Sequence, residues 1–187
     1  KAMVQEYKNT PGVLLFLLGN ENNYGLFWRG AETENIPVAE RQSTKDAEYL
    51  YKLFNEAAVE MKAVDKGHPV AICNGDLLFL DIITKECKDV DILGINSYRG
   101  MSFTDLFDRV KKENGKPMMF TEFGSDAYNT IKNQEDQEAQ AKYLVANWKE
   151  IYANAEGMGG AGNSLGGFTF QFSDGWWKTG QTSNLDE

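Results

Sequence analysis

The sequence is poor in the residues that build metal and redox centres: one histidine, His68, and two cysteines, Cys73 and Cys87, in 187 residues. A single histidine followed by Pro69 cannot form a histidine-rich or zinc-type cluster, so no metal and no other cofactor is expected. Cys73 lies inside an apolar run, and both cysteines read as free, buried thiols. Positive charge is also scarce. Nineteen basic residues face 28 acidic ones for a net charge of -9, which disfavours nucleic acid and anionic membranes as partners. No apolar stretch approaches the roughly 20 residues a membrane helix requires, and the N-terminus does not read as a secretory signal. There is no phosphate-loop pattern and no Asn-x-Ser/Thr acceptor.

What is present is the composition of a globular chain, 42% hydrophobic and 25% charged. Residues 1–187 read as one domain or part of one. Short apolar runs alternate with longer amphipathic stretches, the rhythm of strand and helix units around a parallel sheet. A helix over 1–8 is stopped by Asn9-Thr10-Pro11-Gly12. Strands are predicted at 13–19, 68–73, 91–96, 117–121 and 168–172. Between them, helices are predicted from Ser43 or Thr44 to about Lys66, then over 77–86, 103–113 and about 133–155. A long loop, 20–41, carries Tyr24, Phe27 and Trp28, and a glycine-rich connector spans 157–167. Trp148 falls on the apolar stripe of the last helix and reads as core.

Such a chain forms either an open doubly wound sheet or part of an eight-stranded barrel. An open sheet gathers its ligand at one switch point. Here polar residues follow every strand: Asn20-Glu21, Asn74 to Asp76, Asn96 to Tyr98, Glu122, and Ser173-Asp174. That distribution favours a barrel that draws its site from several strand ends. Glu21 and Glu122 stand out, because each ends an apolar run and brings a charge to the edge of a core.

These segments resemble the catalytic domain of glycoside hydrolase family 2, within the clan of retaining barrel glycosidases. Asn9-Thr10-Pro11-Gly12-Val13 through Gly19-Asn20-Glu21 resembles that family's fourth strand. Asp91 through Asn96-Ser97-Tyr98 resembles the sixth, Lys116-Pro117 through Thr121-Glu122-Phe123-Gly124 the seventh, and Gly166-Gly167-Phe168 through Ser173-Asp174 the eighth. The resemblance implies an α/β fold, a partial (β/α)8 TIM barrel comprising strands 4 to 8 with their helices. It begins only at the helix before strand four, so the chain is expected to be roughly the last five eighths of a barrel. Two unpaired sheet edges are then expected, favouring association with a further copy or with the N-terminal part of the barrel.

The implied function is hydrolysis of β-glycosides with retention, with a carbohydrate as the substrate partner. Glu122 would be the nucleophile and Glu21 the general acid/base. Asn20 would hold the sugar's 2-hydroxyl and Tyr98 would contact the nucleophile. Asn96, Asp174, Trp176 and Trp177 complete the candidate substrate-binding set, the tryptophans as stacking surfaces. The family often has tryptophan where Phe16 and Phe170 stand. A transglycosylase, a noncatalytic carbohydrate-binding barrel and an open-sheet interaction module are the alternatives. Strand order separates the last of these from a barrel.

Overall fold

The computed structural model describes residues 1–26 and 41–172. After helix α1 (Ala2–Tyr7), strand β1 (Phe16–Leu18) enters the sheet, followed by helix α2 (Gln42–Val64), strand β2 (Val70–Gly75), helix α3 (Leu80–Glu86) and strand β3 (Ile92–Asn96). Helix α4 (Leu106–Arg109) runs into a π-helical turn over Val110–Asn114, and strand β4 (Met118–Phe123) follows. A two-stranded ribbon, β5 (Tyr128–Asn129) with β6 (Gln134–Glu135), precedes helix α5 (Gln137–Ala153), and strand β7 (Ser164–Thr169) closes the described chain.

The main sheet has the order β1-β2-β3-β4-β7, with every pair parallel. Neighbours in the sheet are therefore successive strands, each joined to the next through a helical segment. The order never reverses, as a doubly wound sheet would require. β2 and β3 are buried throughout, as expected of apolar strands covered on both faces. One face carries the large core, with Phe16, Ile72, Leu93, Met118 and Phe120 packed against α2 and its successors. The other carries a small cluster of Ala71, Ile92 and Met119 with Leu15.

α2 buries Ala47, Tyr51, Ala58 and Met61, a stripe at helical spacing. It begins at Gln42, so Ser43 and Thr44 lie in its first turn and not at the expected cap position. α5 has a true cap, with Asp136 accepting from the Ala139 N–H at 3.1 Å. It starts later than predicted because Gln134–Glu135 pair with Tyr128–Asn129 in the ribbon. Trp148 on α5 is 42% exposed and sets its ring nearly perpendicular to Phe123 at 5.1 Å between centroids. The predicted core position is thus half open.

The last strand lies earlier than the expected 168–172. It occupies part of the glycine-rich connector because the lack of a side chain is needed there: a Cβ on Gly167 would fall 2.9 Å from the Phe120 Cβ and 3.0 Å from Phe123. Gly157, Gly159 and Gly162 have Gly-x-Gly-x-x-Gly spacing, but they lead from α5 into β7. No helix N-terminus follows them, as dinucleotide binding would demand. Among the described residues no helix is long and apolar enough to cross a membrane.

Candidate functional site

Glu21 is placed by a turn that folds back over the end of β2. Gly19 and Glu21 both take positive φ, 73° and 52°, and the Glu21 N–H donates to the Cys73 carbonyl at 3.0 Å. Two residues on, the buried Asn23 side chain clamps Gly75 from both sides. Its Nδ2 donates to the Gly75 carbonyl at 2.9 Å and its Oδ1 accepts from the Gly75 N–H at 2.8 Å. A non-glycine residue holding a left-handed conformation costs energy, and these anchors are what hold it there.

Glu122 is placed by an irregularity in β4. Ile95 pairs with Phe120, but Asn96 pairs with Glu122, leaving Thr121 as the extra residue of a bulge. Strict alternation would send Thr121 and Glu122 to opposite faces, and the bulge breaks that alternation. Both side chains then meet groups from the end of β3. Thr121 Oγ1 donates to Asn96 Oδ1 at 2.6 Å, and Glu122 Oε2 accepts from the Tyr98 hydroxyl at 2.9 Å. The Ser97 N–H donates to the Glu122 carbonyl at 3.0 Å and continues the pairing past the bulge.

Tyr98 is 52% exposed. Its phenol is held above its ordinary value by burial first, then by the hydrogen bond to Glu122 and the negative charges of Glu122, Glu21 and Asp126. At neutral pH it is therefore a hydrogen-bond donor, and both glutamates bear on it. The chain on either side of it is fastened by Asp76. That carboxylate accepts from Ser97 Oγ at 3.0 Å, from Arg99 Nε at 2.9 Å and from Arg99 Nη2, forming a paired fork.

Below the carboxylates is a polar node to which four strands contribute. Asn96, only 1% exposed, donates through Nδ2 to Glu21 Oε1 and to Asn20 Oδ1, each at 3.1 Å. Cys73 Sγ lies 3.2 Å from Asn20 Oδ1, Asn96 Oδ1 and Thr121 Oγ1 alike. Burial raises the Cys73 thiol's pKa, against weaker lowering by hydrogen bonds from Thr121 and the Glu21 backbone. Its proton is retained at neutral pH.

The structure thus gathers Asn20, Glu21, Asn96, Tyr98 and Glu122 at the C-terminal ends of β1, β3 and β4. Asp174, Trp176 and Trp177 lie outside the described residues. Sequence reasoning missed Thr121, Cys73, Asn23 and the Asp76–Arg99 fork. Only Asp76 had a signal, as a polar residue after a strand. Next to the site a cleft of about 450 Å³ opens between the β4–α5 segment and the end of β7, lined by Ser125, Asp126, Gln140 and Phe170 among others. Among the described residues no group of three or more His, Cys, Asp or Glu side chains could hold a metal ion.

Chemically, the arrangement offers two carboxyl groups, one neutral phenol donor and a buried amide at the open end of a parallel sheet. The fold recurs in solved structures. The chain is similar to a Bacteroides uniformis beta-glucuronidase with a TM-score of 0.66 and 18% identity, over 90% of this chain and 20% of that one. It is similar to a fungal beta-1,4-galactanase with a TM-score of 0.59 and 16% identity, over 90% of this chain and 55% of that one. For the Ignisphaera aggregans GH53 catalytic domain the TM-score is 0.57 at 16% identity, over 90% and 52% of the respective chains. The fold is part of a (β/α)8 barrel. No family model and no curated protein matches the sequence. The barrel segment spans about a fifth of the beta-glucuronidase it matches, by the 20% coverage of that chain.

Proposed function

We propose that this barrel segment carries the catalytic pair of a retaining β-glycoside hydrolase similar to family 2, with Glu122 as nucleophile and Glu21 as general acid/base. The observation that carries the reading is the pairing of each carboxyl with its own neutral donor. The Tyr98 hydroxyl serves Glu122 and the Asn96 amide serves Glu21, both at the C-terminal ends of sheet strands. Likeness in fold to beta-glucuronidase and beta-1,4-galactanase structures supports β-linked sugars as the substrate class.

In the first step a Glu122 oxygen forms a bond to the anomeric carbon as the bond to the leaving oxygen breaks, and Glu21 gives its proton to that oxygen. In the second, water attacks the anomeric carbon, passes a proton to Glu21 and displaces Glu122, restoring both groups. The Tyr98 hydrogen bond stabilises the Glu122 carboxylate before attack and again as it leaves. Asn20 spends its Oδ1 on Asn96 and Cys73, which leaves its amide N–H groups for a substrate hydroxyl. The cleft beside Phe170 offers room for part of the sugar or its leaving group.

β1 and β7 are the edges of the described sheet, and Leu17 and Phe168 on them are 40% and 56% exposed. Turnover is expected of protein in which these edges pair with further barrel strands, and little is expected of this segment alone. The test is trapping with 2-deoxy-2-fluoro β-glycosides, followed by peptide mapping and NMR of the first-formed anomer. A label on Glu122, a β-product and loss of turnover in Glu122→Gln are expected. Turnover surviving Glu122→Gln, or an α-product, refutes the assignment.

A further inference from the structure

The buried node beneath the carboxylates has a hydrogen-bond logic that singles out a residue outside the catalytic pair. Asn96 uses both amide hydrogens, one on Asn20 and one on Glu21. That leaves its Oδ1 to be satisfied from the opposite side, where it accepts from Thr121 Oγ1 at 2.6 Å. A side-chain amide can be inserted either way round, and its neighbours decide which end points where. With Oδ1 turned toward Glu21 and Asn20, an acceptor would face two acceptors, and the Thr121 oxygen, which can also accept, would have to turn its proton away from Asn96. Cys73 cannot fix the orientation alone, since its single weak S–H proton is shared among three oxygens at 3.2 Å.

Thr121 reaches this position through two features of the backbone. It is the extra residue of the β4 bulge, which aims its side chain at the end of β3. It also lies over Gly94, where a Cβ would fall 2.8 Å from Thr121 Cγ2 and 2.3 Å from the Ile72 carbonyl oxygen. Glycine at that place on β3 is the space into which the threonine methyl fits.

We propose that Thr121 is a positioning residue for the general acid/base: by satisfying the buried Asn96 Oδ1, its hydroxyl holds the amide in the orientation that donates to Glu21. The residue next to the nucleophile in sequence thereby serves the other carboxyl, and Asn96 acts on Glu21 instead of on the sugar. This rests on the glycosidase reading above.

The experiment compares Thr121→Val, which keeps the shape and removes the hydroxyl, with Thr121→Ser, which keeps the hydroxyl, in protein with the barrel strands completed. Aryl and alkyl β-glycosides of graded leaving-group ability are the substrates. kcat/KM reports the first, acid-assisted step. General acid catalysis contributes on the order of 100-fold or more, so Thr121→Val is expected to lower kcat/KM for an alkyl glycoside by about tenfold. A dinitrophenyl glycoside, whose leaving group needs no proton, should stay within about twofold, and Thr121→Ser should restore the alkyl rate. Equal losses on both substrates, or no rescue by serine, overturn the proposal. A second measurement needs no turnover: in asparagine-labelled protein the Asn96 side-chain amide should shift and exchange faster in Thr121→Val. An unchanged amide signal overturns the proposal even in an active enzyme. An amide that responds while Glu122→Gln keeps its activity overturns the glycosidase reading alone. If valine distorts the bulge, Thr121→Ala carries the same comparison.

Discussion

Replacing Asp76 with asparagine removes the charge that ties the ends of β2 and β3 together. The carboxylate accepts four hydrogen bonds: from the Leu77 N–H at 2.7 Å, from Ser97 Oγ at 3.0 Å, and from Arg99 Nε at 2.9 Å and Nη2. Burial pushes its pKa up. The Arg99 hydrogen bonds, the Leu77 N–H, the Arg99 charge and the Ser97 hydroxyl more than offset this, and the net shift is downward. Asparagine would turn an NH2 toward donors and leave Arg99, whose side chain is 23% exposed, with only its longer contacts to the Phe103 carbonyl, Thr104 and Asp105. Hydrogen bonds to charged groups contribute about 1.5–3 kcal/mol each, and part of that is regained by water at the exposed side. Asp76→Asn should therefore cost roughly 2–3 kcal/mol at pH 7. The sign with pH follows from the lowered folded-state pKa. The stabilisation is fully present above the unfolded value of about 3.9 and is lost as pH falls through the lower folded value. Urea unfolding at pH 7 and near pH 3 should show wild type and variant far apart in the first case and converging in the second. A penalty below about 0.5 kcal/mol at pH 7, or one of equal size at both pH values, would refute the charge-based account. Because Ser97 and Arg99 flank Tyr98, the same variant should also loosen the Tyr98 to Glu122 contact, visible as faster exchange of the neighbouring amides.

Two further outcomes are expected. Gly94→Ala places a methyl within 2.3 Å of the Ile72 carbonyl oxygen and should destabilise by about 3 kcal/mol or more; an unchanged urea midpoint would show that β2 and β3 can part without cost. Cys87 is fully buried and its thiol is pushed up to about 12, chiefly by burial. Cys73 is buried and raised as well. Neither should react with a thiol reagent at pH 8 until urea is added, and rapid labelling of the folded protein would contradict the described packing.

The order of strands and helices was legible because apolar runs bounded by turn residues are local features. Glu21, Glu122 and Asn20 were legible as polar residues ending such runs. The bulge at Thr121 was not. A period-two pattern tells which faces a strand has, and it carries no mark where one extra residue shifts the phase. The start of β7 was hidden for a different reason: Ser164-Leu165-Gly166-Gly167 has the composition of a connector, yet Gly167 is required by the Phe120 and Phe123 side chains of β4 and Gly166 by its φ of 123°. The Asp76–Arg99 fork joins residues 23 positions apart, so its existence depends on the parallel pairing of β2 and β3. Trp148 shows the limit of a helical stripe, which names a face of the helix without saying how completely that face is covered.

The bulge in β4 also divides that strand into two regions governed by different constraints. Before it, Met118, Met119 and Phe120 alternate between the two apolar clusters and answer to packing. After it, the phase is reset and Glu122 answers to Tyr98. A substitution that repacks the first part need not rotate the carboxyl in the second, because the extra residue absorbs the change. Core and site on this strand can therefore vary separately, which a continuous strand of the same length would not permit.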